Sequence, residues 1–143
     1  MSAAFPPPAE LLPHRAPAIL LETILAVDAD TLVAEARLAT ESPYAAHAWE
    51  GAALVEVAAQ AAAAHGACGL RARGEAAAAP QGFLVGIKNL FLEPSVPLDV
   101  PLRVRVRRVG GTGPLSLFWA EVRCDAKLLM EGELSVWAAE ARR

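Results

Sequence analysis

Residues 47–69 read HAWEGAALVEVAAQAAAAHGACG and contain the main indication of the fold class. Alanine has the highest intrinsic helix propensity, and the stretch is crowded with it. Its side chains are apolar nearly all the way round, which is typical of a helix buried inside a domain rather than one on the surface. We therefore predict one long buried helix over residues 51–70, with Gly66 and Gly69 as candidate stop signals.

Two polar residues, Glu56 and Gln60, interrupt the apolar run. Residues four apart lie on the same face of a helix, so their side chains can meet. A carboxylate among apolar side chains costs free energy unless it is paired or functional, which leaves open a site residue or a structural hydrogen bond at a subunit interface. His65 follows Glu56 by two and a half helical turns and is expected to point away from it.

The segment before the helix predicts a β-hairpin. In LLPHRAPAILLETILAVDADTLVAEARLA we predict strands near Ala18–Val27 and Thr31–Ala39, joined by the turn residues VDAD. The proline run Pro6–Pro8 predicts a stiff, non-helical arm. We expect this arm to occupy residues 1–10 and a single domain to occupy residues 11–143.

The segment after the helix changes to a two-residue period. LRARGEAAAAPQG predicts a connection, and GFLVGIKNLFLEPSVPLDVPL predicts a strand followed by a proline-broken crossing. LRVRVRRVG predicts a half-buried strand, GGTGP a turn, and LSLFWAEVRCDAKLLMEGELSVWAAE a hairpin turning at CDAK. The expected architecture is α+β, with an antiparallel sheet wrapped around one long central helix.

Composition excludes several classes of function. A net charge of −3 and a pI near 5.6 give no reason to expect nucleic acid as a partner. The start MSAAFPPPAE lacks the features of a signal peptide, and the polar residues of the helix argue against a membrane span. Cys68 and Cys124 form no disulfide framework, so we expect a soluble, cytoplasmic protein. The scattered histidines and the absence of a phosphate-binding loop predict no metal and no cofactor.

Three stretches resemble bacterial 3-hydroxyacyl-acyl carrier protein dehydratases, which have the hotdog fold. LLPHRAPAILLETILAVD is similar to their opening, EGAALVEVAAQAAA to the start of their central helix, and FLVGIKNLFLEPSVPLD to the strand and crossing that follow. The resemblance covers residues 11–137. It implies the hotdog fold, an acyl thioester or acyl carrier protein as substrate partner, and a homodimer or a heterodimer with a related dehydratase.

The resemblance also implies roles for individual residues. In these enzymes a loop histidine takes the α-proton, and a helix glutamate from the other subunit assists departure of the hydroxyl group. Glu56 falls on that glutamate, and Gln60 falls on the glutamine one turn later. Gly51 falls on the glycine whose backbone N–H polarises the thioester carbonyl, a role that suits the unpaired N–H groups at a helix start.

The loop before the helix departs from the family pattern. The family histidine lies fourteen residues before the glutamate, where this sequence has Ser42, and ESPYAAHAWEG lacks the Gly-His-Phe-Pro pattern. The nearest histidine is His47, which we take as a candidate displaced base. Tyr44 is a candidate for orienting substrate, whereas Ser42 would need an activator of its own. The chain is similar to predicted dehydratases of aryl-polyene pathways, in which the loop histidine is often absent.

Three functions stay open on this basis. The chain is a dehydratase that uses Glu56 and His47 with the Gly51 N–H as oxyanion donor, a non-catalytic partner subunit of a dehydratase heterodimer, or a hotdog acyl-thioesterase that uses water as nucleophile. Arginines 103, 105, 107 and 108 are either a dock for an acidic carrier protein or a solvated sheet face. His14 is expected to be structural, and Trp49, Trp119 and Trp137 are expected in the core and at its rim.

Overall fold

The structure is a computed structural model that describes residues 5–13, 18–45, 50–74 and 82–138. These residues form two helices and six strands: α1 (Pro8–Leu11), β1 (Leu21–Val27), β2 (Thr31–Ala36), α2 (Glu50–Ala72), β3 (Gly82–Leu92), β4 (Leu102–Thr112), β5 (Leu115–Cys124) and β6 (Lys127–Ala138). The strands form one sheet in the order β1-β2-β4-β5-β6-β3, and every neighbouring pair is antiparallel.

The core lies between one face of this sheet and the helix α2. Alternate residues of the strands are buried there, as the two-residue period predicts: Val104 and Val106 on β4 and Ala120 and Val122 on β5 are all fully buried. Alanines on α2 let the helix approach the sheet closely. This arrangement, an antiparallel sheet around one long helix, confirms the predicted hotdog fold.

The helix is longer than predicted, and the two proposed stop signals were wrong. α2 runs through Gly66 and Gly69 and ends two residues before Gly74, whose φ of 71° is the left-handed conformation that favours glycine after a helix. Gly66 and Gly69 are tolerated because packing against the sheet, rather than local propensity, holds this part of the helix.

The prediction of a non-helical arm was wrong for its last proline. Pro8 begins the short helix α1, where proline is compatible with the first turn because its missing N–H would have no helical acceptor there. Leu11 and Leu12 are almost completely buried and pack into the core. Leu11, the last residue of α1, thus anchors this short helix to the core.

The first hairpin is shorter and less regular than predicted. β1 begins at Leu21 and contains two register shifts, which turn Ala26 outward, whereas Ile24 stays buried. The last hairpin turns between Cys124 and Lys127, as CDAK predicts. β4 continues to Thr112, so only the end of GGTGP forms the turn.

One described helix, Gly51–Ala72, is long and apolar enough to span a membrane by length and composition alone. More than half of its apolar window is already buried against the sheet. Its hydrophobicity is therefore that of a core helix, which needs apolar side chains on the faces that contact the sheet.

Candidate active site

Glu56 and Gln60 lie one turn apart on α2 and are hydrogen-bonded to each other. Gln60 is fully buried, and its Nε2 donates to Glu56 Oε1 at 3.0 Å and to the carbonyl oxygen of Ala18 at 2.8 Å. Gln60 Oε1 accepts the backbone N–H of Leu20 at 2.9 Å. The Gln60 side chain therefore links the Glu56 carboxylate, through hydrogen bonds, to the segment that leads into β1.

These contacts fix the orientation of the Gln60 amide. The backbone nitrogen of Leu20 can only donate, so it must face the amide oxygen, and the amide NH₂ must then face Glu56. Glu56 Oε1 is therefore held as an acceptor. A proton carried by this carboxyl group is favoured on the other oxygen, Oε2, because Oε1 is already occupied by the amide hydrogen.

Glu56 lies half-buried in the wall of a cavity of about 110 Å³. Gln60, Ala59 and Ala63 line the helix side of this cavity, and Pro13 lines it from the N-terminal segment. The remaining wall comes from Gly82 and Leu84 on β3 and Val136 on β6. Because β3 is the last strand of the sheet, the cavity opens at a sheet edge, and Leu84 is 39% exposed there.

Gly51 does not line this cavity. A Cβ built at Gly51 would lie 3.5 Å from Leu92 Cδ1 and 3.8 Å from the carbonyl oxygen of Glu93, at the far end of β3. Glu56 instead neighbours the start of β3. The two residues that the resemblance assigns to one reaction therefore lie at different ends of the same strand within one chain.

The loop before α2 contains the other predicted site residues. Tyr44 packs half-buried against the core, and burial together with the nearby charge of Glu56 raises the pKa of its phenol. Ser42 is buried and its Oγ accepts the backbone N–H of Tyr44 at 3.2 Å, which is a local turn contact. His47 lies outside the described residues, as do His14 and Trp49.

His65 lies at a different cavity, on the other side of the helix, as the spacing from Glu56 predicts. Its Nε2 is 3.2 Å from the carbonyl oxygen of Asp28, and its ring meets Phe118 edge-on with centroids 5.7 Å apart. This second cavity, of about 660 Å³, is the larger of the two. Size alone does not make it the better candidate, since the carboxylate of Asp28 is already held by the backbone N–H groups of Asp30 and Thr31.

The four arginines of β4 do not all lie on the same face of the sheet. Arg103, Arg105 and Arg107 alternate with buried valines and point away from α2, whereas Arg108 belongs to the wall of the second cavity. The guanidinium of Arg107 lies over the ring of Trp119, 5.4 Å from its centre. Of the tryptophans expected in the core and at its rim, Trp119 is half-buried and Trp137 is 45% exposed.

Metal ligands do not converge in the part of the chain that the structure describes, where no three histidine, cysteine or acidic side chains form a group. Cys68 and Cys124 are both free thiols. Burial raises the pKa of the Cys68 thiol, so it stays protonated and a poor nucleophile.

Sequence reasoning missed the residues that complete the Glu56 cavity. Ala59 and Ala63 could have been found, because they follow Glu56 by three and seven residues and so share its helix face. Gly82, Leu84 and Val136 carry no local signal, since only the sheet topology brings them to the helix.

Comparisons with known proteins agree with this geometry. A family profile described as ApeP-like, ApeP dehydratase, matches residues 6–143. The solved structure "The Dehydratase Heterocomplex ApeI:P from Xenorhabdus doucetiae" superposes with a TM-score of 0.83 at 21% identity, covering 95% of this chain and 93% of that chain.

Other solved structures share the fold at lower similarity. A sigma28-regulated virulence protein from Campylobacter jejuni gives a TM-score of 0.65 at 15% identity, covering 94% of this chain and 88% of that one. A mutant thioesterase from Pseudomonas aeruginosa gives 0.55 at 13% identity, covering 82% and 80%. A comparison with curated protein sequences finds no match. Since the family profile spans nearly the whole sequence, the chain belongs to the ApeP-like dehydratase family.

Proposed function

We propose that this chain is the glutamate-bearing subunit of a cytoplasmic 3-hydroxyacyl-thioester dehydratase, acting on carrier-bound intermediates of an aryl-polyene or related fatty-acid-like pathway. The observation that carries the proposal is the oriented Glu56–Gln60 pair in a cavity that opens at the sheet edge. The family membership supports the dehydratase chemistry. The Xenorhabdus doucetiae structure, described as a dehydratase heterocomplex, supports a related dehydratase as the partner.

The edge strand β3 offers the surface for that partner. Among the described strands β3 pairs with β6 alone, so its other side presents backbone N–H and C=O groups that no described strand pairs. Its exposed residues are largely apolar: Phe83, Val85, Ile87, Leu90 and Phe91. A long apolar edge is a site where a second strand adds by backbone hydrogen bonding. A subunit docked there would also cover the open side of the Glu56 cavity.

In the proposed reaction, a histidine base takes the α-proton of the 3-hydroxyacyl thioester, and the C–H electron pair becomes the C2=C3 double bond. The C3–O bond breaks, and Glu56 gives its proton to the departing hydroxyl group, which leaves as water. The proton on the base then restores Glu56. Gln60 orients the carboxyl group so that Oε2, rather than Oε1, carries the transferred proton.

The separation of Gly51 from Glu56 supports a site shared between subunits. The two residues neighbour opposite ends of β3 within this chain. In the proposed complex, Glu56 completes a site whose histidine the partner supplies. In the other site of the complex, the N–H groups of the helix start at Gly51 face the carbonyl, and the candidate base is His47 of this chain. Tyr44, close to Glu56 and uncharged at neutral pH, is proposed to orient the substrate by hydrogen bonding.

The test is turnover of a 3-hydroxyacyl-carrier protein, read by mass spectrometry, with the chain alone and with a histidine-bearing dehydratase subunit. We expect water loss only from the complex, and at least about a 100-fold lower rate with Glu56→Gln. Glu10→Gln, which changes an exposed carboxylate on α1, is the matched control. Full activity of the Glu56→Gln complex would overturn the proposal.

The other outcomes assign the remaining alternatives. Turnover by the chain alone that His47→Ala abolishes would make it a self-sufficient dehydratase with a displaced base. Free acid in place of the unsaturated thioester would make it a thioesterase. Either result excludes the proposal that a different dehydratase subunit supplies the histidine.

A further inference from the structure

On the face of the sheet that points away from α2, side chains of like charge follow one another along single strands, and each such set is called a column here. Here this outer face is defined by the outward residues of β4, β5 and β6. Arg103, Arg105 and Arg107 form a basic column on β4. Glu131 and Glu133 form an acidic column on β6. Between them the outward residues of β5 are half-buried: Leu115, Leu117 and Trp119 form an apolar column, which Glu121 and Arg123 continue as an ion pair.

The columns are in register across the sheet. Arg105 lies in the same row as Glu121 of β5 and Glu131 of β6. Arg107 lies in the same row as Trp119 and Glu133. Neighbouring strands are about 4.8 Å apart, so the basic and acidic columns are separated by about 10 Å, with β5 between them.

These charges are not paired within the described part of the chain. The ion pairs formed there include Arg123 with Glu121, at 3.2 Å, but none that joins the basic column to the acidic one. Arg107 stacks on Trp119 instead. Glu35 of β2 is the cross-strand neighbour of Arg103, and Lys88 of β3 is that of Glu133, but neither pair is among the ion pairs of the described residues. Glu121, which lies between Arg105 and Glu131, pairs with Arg123. Arg105, Arg107, Glu131 and Glu133 are therefore available to a partner outside this sheet.

We propose that the outer face is a self-complementary interface for a second copy of this chain, packed face to face about a two-fold axis parallel to β5. This rotation places β4 of each chain opposite β6 of the other chain. It leaves the position of each row along the strand direction unchanged, so each row faces the same row of the second copy. The partner's acidic column then lies over the basic column, so Arg105 meets the partner's Glu131 and Arg107 meets the partner's Glu133. The apolar column of β5 lies on its own copy.

The geometry selects this axis over its alternative. A two-fold axis perpendicular to the strands would place β4 over β4 and arginine over arginine, which is repulsive. Packed sheets are about 10 Å apart, a gap that an extended arginine and glutamate bridge together. Aligned sheets cross at about 30°, which shifts residues far from the axis but keeps rows next to the crossing point in contact.

This surface is separate from the edge strand of the proposed function. The side chains of the outer face point away from α2, whereas the backbone N–H and C=O groups at the β3 edge point along the plane of the sheet. Both contacts can form at once, so a pair of chains joined through their outer faces can each carry a different subunit at β3. The prediction is an assembly with twice the mass of the unit formed through β3 alone.

The test is sedimentation of the full-length chain, alone and with its dehydratase subunit, at low and high salt. Arg105→Glu places glutamate opposite glutamate twice in the symmetric pair, and Glu131→Arg places arginine opposite arginine twice. We expect each variant to halve the mass of the assembly and to weaken association at least about tenfold. Lys127→Glu, the same charge change on the exposed β5–β6 turn, should leave the mass unchanged.

Mixing the two variants distinguishes self-complementarity from a general charge effect. In a mixed pair, Glu at position 105 faces Arg at position 131, and the wild-type Arg105 faces the wild-type Glu131. The mixture should therefore regain the wild-type mass although neither variant does so alone. Association unchanged in either variant, or no recovery on mixing, overturns the proposal. Binding of an acidic carrier protein that Arg105→Glu abolishes, without self-association of the wild type, assigns the face to that carrier instead.

Discussion

The helix α2 buries two polar side chains, Gln60 and His65, and they differ in what they connect. Gln60 uses every hydrogen-bonding group of its amide, and its partners come from the N-terminal segment and from Glu56. His65 makes one hydrogen-bond contact, to the carbonyl oxygen of Asp28, and packs against Phe118. Both side chains are buried, but their contacts differ: Gln60 orients a carboxyl group in a cavity, whereas His65 contacts a turn.

The largest effect on stability is expected from Gln60→Leu. The substitution leaves the N–H of Leu20 and the carbonyl of Ala18 without their buried partner, and each such group costs about 1–3 kcal/mol. We expect the free energy of unfolding to fall by about 3 kcal/mol. The measurement is urea denaturation at one fixed protein concentration, since the proposed association would make the stability depend on concentration. Stability within about 1 kcal/mol of wild type would show that these hydrogen bonds do not hold the N-terminal segment.

A smaller effect on stability is expected from His65→Leu. The variant keeps apolar packing against Phe118 and removes one contact to a carbonyl in an exposed turn, where water can replace it. We expect a loss of about 1 kcal/mol in the same urea experiment. Dehydration by the complex should be unchanged, since His65 lines a different cavity from Glu56. A loss as large as that of Gln60→Leu would refute the distinction.

The smallest effect is expected from Asp28→Asn, and it depends on pH. The backbone N–H groups of Asp30 and Thr31 donate to Asp28 Oδ1 and lower the pKa of its carboxyl group. A lowered folded-state pKa means that this stabilisation is present above the unfolded value of about 3.9 and is lost as the pH falls through the folded value. Melting temperatures from pH 7 to pH 3 should therefore converge for wild type and Asp28→Asn. Asp30→Asn is the control in the same turn, and a constant difference across the range would contradict the assignment.

Local patterns predicted those parts of the fold that depend on neighbours in sequence. The alanine-rich run gave the central helix, and the alternation of Val104 and Val106 with arginines gave a half-buried strand. CDAK located the last turn because turn residues act over a few positions. The predicted ends of α2 and β1 were wrong, since packing carried the helix past Gly66 and Gly69 and register shifts altered β1.

In the candidate site too, contacts between residues close in sequence could be predicted, and contacts between distant segments could not. The sequence predicted that Glu56 and Gln60 meet, because four residues make about one helical turn. It could not predict that Gln60 also binds the backbone of Ala18 and Leu20, about forty residues away, because such contacts depend on how separate segments pack. The roles of Glu56, Gly51, Tyr44 and His47 in catalysis stay predictions.

A buried helix with a carboxylate and an amide on one face, and strands with one apolar side, can be predicted from the amino-acid sequence. These features follow from the 3.6-residue period of a helix and the two-residue period of a strand. The folded chain was needed to show that the carboxylate neighbours the start of an open edge strand and that Gly51 lies at the other end of that strand. It was also needed to show that basic and acidic residues share rows across three strands. The reason is that strand order and register join residues far apart in sequence, and no local period encodes which strand becomes the edge.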